Sequence, residues 1–259
     1  MGKNKLKKFA EMQGFDCVFQ YPFGRLKEEG FPYKGEWQSK IFRNENPITL
    51  ELGCGKGEYT VGLARRFPET NFVGIDVKGA RIYTGAKRVE QEGIANASFL
   101  RTDIELLPSF FIPGEVNEIW ITFPDPQMKK THRRLTSTRF LNIYRKICSP
   151  GAVVNLKTDS PFLYEYTRRL VALNNLDLLA DTPNLYAEPE GSIPESLTSI
   201  RTFYEQQWLS RGKKIKYIAF RLPSSEVQLV EPEEDDIEKD DYRSFPRGIV
   251  QGMPDNKEI

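Results

Sequence analysis

The sequence of 259 residues is poor in histidine and cysteine, with only His132 and the scattered Cys17, Cys54 and Cys148. One histidine excludes a metal site built from histidine ligands and leaves no Ser-His-Asp or Cys-His arrangement for nucleophilic catalysis. The cysteines form neither a metal-binding pattern nor an even set for disulfides, which favours a reduced, cytoplasmic compartment. No apolar run approaches the roughly 20 residues of a membrane span, and the first residues lack the apolar stretch of a secretory signal. We therefore expect a cytoplasmic protein with no metal and no membrane partner.

Charge is nearly balanced overall but unevenly distributed along the chain. Residues 223–259 contain 11 acids and 4 bases, a net charge of −7, while the whole chain carries +1. Residues 1–222 therefore carry +8, and this basic body indicates a polyanionic partner. The acidic segment 231–241 is most simply a solvated tail; alternatively, it competes with nucleic acid for the basic surface.

Composition and periodicity predict a basic and aromatic N-terminal arm (1–46), an α/β domain (47–222) and an acidic C-terminal tail (223–259). Strands are predicted at 48–52, 71–76, 97–102, 117–123, 151–157, 176–181 and 215–221. Helices are predicted at 57–67, 79–92, 136–147, 160–174 and 199–210. This alternation predicts a doubly wound, Rossmann-like α/β fold with one mostly parallel, seven-stranded sheet.

The first predicted strand leads into a glycine-rich turn at residues 50–57, with Gly53 and Gly55 at alternate positions. Glycines allow backbone conformations that other residues rarely adopt, and they let a ligand lie close against the chain. A pyrophosphate-binding turn would continue with a third glycine in the G-x-G-x-x-G pattern. Glu58 occupies that position, and its carboxylate would repel a pyrophosphate, so a dinucleotide cofactor is disfavoured.

The acids around this turn instead suit a cationic cofactor. S-adenosylmethionine has no phosphate and carries an ammonium and a sulfonium, which Glu51 and Glu58 can accommodate electrostatically. Asp76, at the end of the second predicted strand, is placed to accept hydrogen bonds from both ribose hydroxyls. The alternative is an ordinary tight turn with incidental acids.

A doubly wound sheet binds its ligands at the carboxyl ends of its strands. Each of five predicted strands ends in or is followed by an acid at that edge: Glu51, Asp76, Asp103, Asp125 and Asp159. Their shared position is stronger evidence for a ligand site than any single motif.

A second motif, Pro124-Asp125-Pro126, follows the fourth predicted strand. The two prolines restrict the φ angles of the turn and so hold the Asp125 carboxylate in place. Five basic or potentially basic residues come next, and they can bind phosphates and draw nucleic acid into the cleft: Lys129, Lys130, His132, Arg133 and Arg134. The alternative is a rigid turn followed by a solvated basic loop.

In order along the chain, ELGCGKGEYT, VGIDVKGAR, FPDPQMKKTHRRL, LKTDS and RTFYEQ resemble the bacterial tRNA (guanine-N7-)-methyltransferases over roughly residues 45–221. The resemblance implies methyl transfer from S-adenosyl-L-methionine to N7 of guanosine 46 in the variable loop of tRNA. It implies that Asp125 is catalytic and contributes to the cofactor site with Glu51, Gly53, Gly55, Asp76 and Asp103. It also implies that tRNA or the substrate guanosine is bound by Lys129, Asp159, Thr202, Tyr204 and Glu205.

Two positions depart from the family pattern. Gln127 stands where similar proteins usually have tryptophan, and Phe203 stands where they usually have lysine. The first departure puts a stacking role at that position in doubt, and the second puts a phosphate contact in doubt. The acidic tail lies outside the resemblance.

Methylation of guanine N7 requires no base, because N7 already has an available lone pair. We expect Asp125 and Asp159 to stabilise the positive charge that forms on the base and to accept hydrogen bonds from the guanine N1–H and N2–H groups, with Asp125 nearer the reacting atom. Tyr204 either stacks on a base or packs in the core. Glu205 either binds the guanine edge or the methionine end of the cofactor, or is an exposed structural acid.

Three other functions remain open from the sequence. The acceptor can be another RNA or a small nucleobase-like molecule, or the chain can be a tRNA-binding protein that has lost catalysis. A dehydrogenase is the least favoured, because Glu58 disrupts the pyrophosphate turn. The sequence is compatible with a monomer or a homodimer.

Overall fold

Strands from the N-terminal arm and from the domain pair into one sheet in the order β1-β4-β3-β2-β5-β6-β8-β7. The computed structural model describes residues 8, 10–21, 23–224 and 226–241. The strands in this part of the chain are β1 Val18–Gln20, β2 Ile48–Leu52, β3 Asn71–Ile75, β4 Ala97–Arg101, β5 Val116–Thr122, β6 Cys148–Thr158, β7 Leu178–Thr182 and β8 Lys216–Arg221. All neighbouring strands are parallel except that β8 runs antiparallel to both β6 and β7. The predicted α/β fold with a mostly parallel sheet is confirmed.

The predicted count of seven strands is wrong, because the described part of the sheet has eight. The additional strand is β1, which comes from the arm and pairs in parallel with β4, with Val18 opposite Phe99. It is only three residues long, so it is too short to show the alternation by which a strand is identified in sequence. The seven predicted strands all occur; β2 has the predicted ends and the other six have shifted ends.

The helices connect the strands along both faces of the sheet. They are α1 Phe23–Glu29, α2 Glu58–Arg66, α3 Gly79–Glu92, α4 Thr138–Tyr144, α5 Pro161–Leu173, α6 Ser196–Ser199 and α7 Phe203–Ser210. The predicted helix 199–210 is divided, because Ile200 adopts an extended conformation and Thr202 caps the start of α7.

The central strands are buried on both faces, as expected for parallel strands covered by helices. Leu50 and Leu52 pack with α4 and α5 in one apolar cluster, while Phe72 and Phe99 pack with α2 and α3 in the other. Because side chains alternate along a strand, Glu51 lies on the face opposite Leu50 and Leu52. This alternation directs its carboxylate toward α2.

The Phe99 ring occupies a notch formed by three glycines, and this contact brings α2 and α3 close to the sheet. A Cβ atom added at Gly57, Gly74 or Gly85 would lie 2.6 to 2.7 Å from that ring. Phe99 itself has no exposed surface. Gly57 is therefore constrained by packing as well as by backbone conformation.

The described part of the N-terminal arm is packed into the main core. Trp37 is fully buried, donates a 2.9 Å hydrogen bond from Nε1 to the Phe110 carbonyl, and stacks on Phe111 at 4.9 Å between ring centres. Phe19 and Phe31 extend the same aromatic cluster. Residues 1–7, 9 and 22 of the arm lie outside the described residues.

The C-terminal segment also differs from the expected solvated tail. Ile237 is buried in the main core, and Asp240 is only 7% exposed. Arg169 forms ion pairs with Asp236 at 2.6 and 2.9 Å, and the buried Arg134 pairs with Glu234. These acids form ion pairs with specific arginines of the domain, so part of the tail is folded onto it. Residues 242–259 lie outside the described residues.

Candidate active site at the carboxyl edge of the sheet

The predicted acids lie along one edge of the sheet because the strands that carry them are parallel neighbours in the order β4, β3, β2, β5 and β6. The positions that follow these strands are, in the same order, Asp103, Asp76, the glycine turn, Asp125 and Asp159. Neighbouring strands lie about 4.8 Å apart. The glycine turn is therefore flanked by the Asp76 strand on one side and the Asp125 strand on the other.

The glycine turn depends on three left-handed residues, with φ angles of +75° at Gly53, +56° at Gly55 and +69° at Gly57. The Gly53 and Cys54 amides both donate to the Ile75 carbonyl, at 2.8 and 3.0 Å. Gly53 and Gly55 were predicted as site residues, whereas Gly57 was not. Its signal in the sequence is its place directly before helix α2, where a left-handed residue begins the helix.

Asp76 braces the glycine turn against strand β3. Its Oδ2 accepts a 3.0 Å hydrogen bond from the Gly55 amide, and its Oδ1 accepts a 2.7 Å bond from the Lys78 amide. The side chain retains little exposure, 9% for the residue. Asp76 thus holds the turn in the conformation that presents it to a ligand.

Glu51 is buried behind the turn and satisfied by neutral groups. Its Oε2 accepts a 2.8 Å hydrogen bond from the Thr60 amide and a second bond from the Thr60 hydroxyl, while its Oε1 accepts a 2.7 Å bond from the Thr122 hydroxyl. Burial raises the pKa of the Glu51 carboxyl from 4.5 to about 7, although these hydrogen bonds oppose the shift. A cation placed above the turn would favour the ionised form.

Glu58, which is expected near the cofactor, also makes a structural contact. Its Oε2 accepts a 3.1 Å hydrogen bond from the Phe203 amide. That amide is the first of helix α7 and has no partner within the helix. Glu58 therefore fastens the start of α7 to the start of α2, a long-range contact that sequence spacing does not indicate.

Asp103 follows strand β4, at the other end of the row of acids from Asp159, and is exposed. It lines an open cleft of about 1,100 Å³, together with Val77 and Thr102 from the sheet edge and Phe19 and Tyr21 from the arm. The cleft combines aromatic and polar walls, which is the usual composition of a small-molecule site. It places the arm beside a predicted cofactor residue.

The Asp125 loop is held by left-handed residues as well as by its prolines. Phe123 has a φ of +50° and Gln127 a φ of +47°, conformations that non-glycine residues adopt at a cost of order 1–3 kcal/mol. The Gln127 amide donates a 3.0 Å hydrogen bond to Asp125 Oδ1. The Asp125 carboxylate is exposed and has a fixed orientation.

The basic loop behind Asp125 is divided between exposed and buried side chains. Lys129, Lys130, His132 and Arg133 are exposed and available to phosphates. The expectation that Arg134 also binds phosphate is wrong, because its side chain has no exposed surface and pairs with Glu234. The exposed cations lie next to Asp125 on the same loop, so phosphates bound there would be close to the carboxylate.

Asp159 follows β6 and is almost fully buried, with 1% exposure. Its carbonyl oxygen accepts a 3.0 Å hydrogen bond from Lys216 Nζ. Burial lowers the pKa of Lys216, and the nearby Asp159 and Asp240 carboxylates oppose that shift. Asp159 is therefore part of a buried charged cluster with Lys216 and Asp240.

Thr202 and Glu205 occupy the first turn of α7. Thr202 Oγ1 accepts a 3.2 Å hydrogen bond from the Glu205 amide and so caps the helix. Glu205 is fully buried, and its Oε1 contacts Lys157 Nζ at 2.7 Å and accepts a 2.7 Å bond from the Tyr186 hydroxyl. The idea that Glu205 is an exposed structural acid is wrong. Tyr204 is half-buried.

Lys157 is a buried residue that the sequence reasoning missed. Burial lowers its pKa, and the Glu205 charge and hydrogen bond oppose the shift. Its Nζ also donates to the Leu197 carbonyl at 2.5 Å. The available signal was a lysine inside a central strand of the sheet, where a buried charge requires a partner. Glu205 Oε2 has no hydrogen-bond partner among the described residues.

Within the described residues, no group of three or more histidine, cysteine or acidic side chains is arranged to hold a metal ion. No helix in that part of the chain is long and apolar enough to cross a membrane.

Two kinds of sequence comparison relate the chain to methyltransferases. A family model described as a putative methyltransferase matches residues 45–218. A tRNA (guanine-N(7)-)-methyltransferase of Porphyromonas gingivalis is 57% identical over 238 residues, which cover 91% of this chain and 96% of that protein. A protein of the same name from Bacteroides thetaiotaomicron is 49% identical over 257 residues and covers 99% of this chain and 100% of its own length.

Solved structures share the fold at low sequence identity. The 16S rRNA methyltransferase KamB superposes with a TM-score of 0.56 and 17% identity, covering 76% of this chain and 95% of its own. An antibiotic-related methyltransferase gives a TM-score of 0.53 and 16% identity over 71% of this chain and 90% of that chain. These similarities support the sheet architecture of class I methyltransferases.

Proposed function

The chain belongs to the tRNA (guanine-N7-)-methyltransferase family, and on that premise we propose that it methylates N7 of a guanosine in tRNA, at position 46 of the variable loop. S-adenosyl-L-methionine is its methyl donor. The observation that carries the proposal is the placement of the Asp125 loop, with its exposed lysines and arginine, directly beside the glycine turn. We further propose that it acts in the cytoplasm as a monomer or a homodimer.

The residues around the glycine turn fit S-adenosylmethionine. Gly53 and Gly55 are left-handed and have no close neighbour where a side chain would lie, so a ligand can approach the backbone, and Asp76 fixes the turn through the Gly55 amide. Glu51 is a buried carboxyl whose ionised form a cationic ligand would favour. Asp76 and Asp103 are the acids that would accept hydrogen bonds from the ribose hydroxyls and an adenine edge, since they follow adjacent strands and Asp103 lines the cleft.

When bound, S-adenosylmethionine supplies an electrophilic methyl group on a sulfonium centre. The protein needs no general base, because guanine N7 has a free lone pair and loses no proton. Asp125, fixed by the Gln127 amide, would stabilise the positive charge that develops on the guanine ring. We propose that Asp159 positions the guanosine side of the site from β6, one strand further along the edge.

The phosphate backbone of tRNA would be bound by the exposed part of the basic loop. Lys129, Lys130 and Arg133 are exposed on one side of Asp125. Such contacts position the nucleic acid without reading its sequence. Selection of guanosine therefore depends on the carboxylates rather than on these cations. Thr202 and Tyr204, at the start of α7, are proposed to complete the acceptor side.

The two departures from the family pattern have local explanations. Gln127 contributes its backbone, since its amide holds Asp125 and its φ is +47°, so the side chain at this position is not required for that contact. At the second departure, Lys56 Nζ lies 4.5 Å from the centre of the Phe203 ring. We propose that Lys56 supplies the positive charge that a lysine at position 203 would otherwise provide.

The proposal is tested by methyl incorporation into unmodified tRNA from labelled S-adenosylmethionine. The matched control is the same tRNA with adenosine in place of guanosine 46. Incorporation into the first and not the second, recovered as 7-methylguanosine, supports the proposed acceptor. Equal incorporation into both would favour another acceptor nucleotide. Calorimetric failure to bind S-adenosylmethionine would favour a tRNA-binding protein without catalysis.

A further inference from the structure

The acidic segment 231–240 contacts the domain through four residues spaced three apart and also through Asp236. Glu231, Glu234, Ile237 and Asp240 each have a specific contact on the body of the protein. Glu233, Asp235 and Glu238 are exposed, and Asp236, which is also exposed, pairs with Arg169. A segment held by charge alone would not place the apolar Ile237 in the main core. The pattern indicates a strap with one face fitted to the domain.

Glu234 forms the central contact of this strap. Its two carboxylate oxygens accept hydrogen bonds from Arg134 Nη1 and Nη2, the latter at 2.9 Å, and Oε1 also accepts a 3.2 Å bond from the Thr131 hydroxyl. The Arg134 guanidinium holds the pKa of the Glu234 carboxyl below its usual range. Since Arg134 has no exposed surface, Glu234 is the carboxylate that neutralises a buried charge.

Arg134 connects Glu234 to the loop that contains Asp125. Its Nε donates to the Pro126 carbonyl and its Nη2 to the Gln127 carbonyl, both at 3.2 Å. The Gln127 amide, in the same peptide group as the Pro126 carbonyl, donates to Asp125 Oδ1. The left-handed Gln127 is thus fixed through both its amide and its carbonyl. Glu234 therefore holds Arg134, and Arg134 holds the backbone that orients the proposed catalytic carboxylate.

Asp240 fastens the second loop of the acceptor side. Its carboxylate accepts hydrogen bonds from the Ser160 hydroxyl and, at 3.2 Å, from the Phe162 amide, at the start of helix α5. Its own amide lies 3.2 Å from Met128 Sδ in the Asp125 loop. Ser160 directly follows Asp159. The strap therefore contacts both loops that follow β5 and β6.

We propose that segment 231–240 is a structural strap that holds the two acceptor loops in their working conformation, and that Glu234 is a positioning residue for Asp125. The proposal rests on the function proposed above for Asp125. The alternative, competition with nucleic acid, requires the acids to occupy the exposed cations. The ion pairs that the segment makes within the described residues are instead with Arg134 and Arg169, while Lys129, Lys130 and Arg133 are exposed.

The first test measures hydrogen exchange in the free, full-length protein, which requires no acceptor. Glu234→Gln removes the charge with little change in size, and Glu238→Gln removes the same charge from an exposed position of the strap. We expect E234Q to increase exchange in residues 124–135 at least several-fold, with E238Q indistinguishable from the unsubstituted protein. Unchanged exchange in E234Q would overturn the strap.

The second test measures methyl transfer to tRNA by the same two variants. A misplacement of about 1 Å at a reacting group can lower a rate up to about 100-fold. We expect E234Q to lower kcat roughly 10- to 100-fold, while KM for S-adenosylmethionine and the salt dependence of tRNA binding stay unchanged. E238Q should retain full activity.

The outcomes separate the two proposals. Higher kcat/KM for tRNA in E234Q would overturn positioning and support competition, and equal losses in E234Q and E238Q would indicate a general charge effect and also overturn it. If the unsubstituted protein methylates no tRNA, the proposed function fails, while the exchange measurement still decides whether the strap holds the loops.

Discussion

Replacing Glu51 by glutamine should make the free protein more stable at neutral pH and bind its methyl donor less well. Glu51 is 3% exposed, and its hydrogen bonds come from Thr60 and Thr122. Glutamine can keep these contacts, with its carbonyl toward Thr60 and its amide toward the Thr122 hydroxyl. The substitution therefore removes the buried charge with little change in packing.

The expected magnitude follows from the pKa of this carboxyl. Each pKa unit corresponds to about 1.4 kcal/mol, so the rise from 4.5 to about 7 corresponds to about 3 kcal/mol. The folded protein holds this proton more tightly than the unfolded chain does, so stability is lost as pH rises from 4.5 to about 7. Glu51→Gln does not titrate. Its free energy of unfolding should therefore gain about 3 kcal/mol over the unsubstituted protein across that interval.

Urea unfolding of both proteins without cofactor, at intervals from pH 4.5 to 8, measures this difference. Calorimetric titration with S-adenosylmethionine over the same pH range measures the effect of the substitution on cofactor affinity. A cation favours ionised Glu51, so the ratio of wild-type to variant affinity should increase up to about pH 7 and then level off. A stability difference that does not change with pH, or equal affinities throughout, would refute the assignment of Glu51 as a buried countercharge.

Three further substitutions test separate parts of the structure. Gly57→Ala should destabilise the protein by more than about 1 kcal/mol, the usual cost of alanine at a left-handed glycine, because its Cβ would also meet the Phe99 ring. Gly93→Ala, at a φ of +64° with open space around it, is the control in urea unfolding. Lys157→Met should cost about 3–5 kcal/mol by leaving Glu205 buried and unpaired, and most of this loss should be recovered in the double variant with Glu205→Leu. Lys129→Ala should weaken tRNA binding and lower its salt slope by about 1, with kcat at saturating tRNA unchanged; an unaltered slope would exclude a phosphate contact.

The sheet could be predicted because its strands and helices carry regular apolar patterns. The strand β2 is found at 48–52 as predicted, and helix α3 at 79–92. The location of the site at the carboxyl edge could be predicted because neighbouring strands run parallel. Strand β1 could not be predicted, because three residues show no period and its partner β4 lies about 80 positions away.

The roles of individual site residues were harder to predict, because they depend on contacts between distant segments. Arg134 has the sequence context of a phosphate-binding residue, yet Glu234, 100 positions away, makes it a buried structural charge. Glu58 was assigned to the cofactor from its position after the glycines, and its additional contact with the start of α7 had no signal in the sequence. Such pairings are set by tertiary packing, for which a single sequence has no periodic signal.

We propose that a methyl group is transferred to guanine N7 at the edge where the glycine turn and Asp125 meet. Single-turnover methylation of tRNA by Asp125→Ala, with separate measurement of tRNA and cofactor binding, is the decisive test. We expect 7-methylguanosine at position 46 with the unsubstituted protein and, for the variant, a rate lower by about 100-fold or more with tRNA affinity retained. Full methyl transfer by Asp125→Ala, with unaltered tRNA affinity, would contradict it.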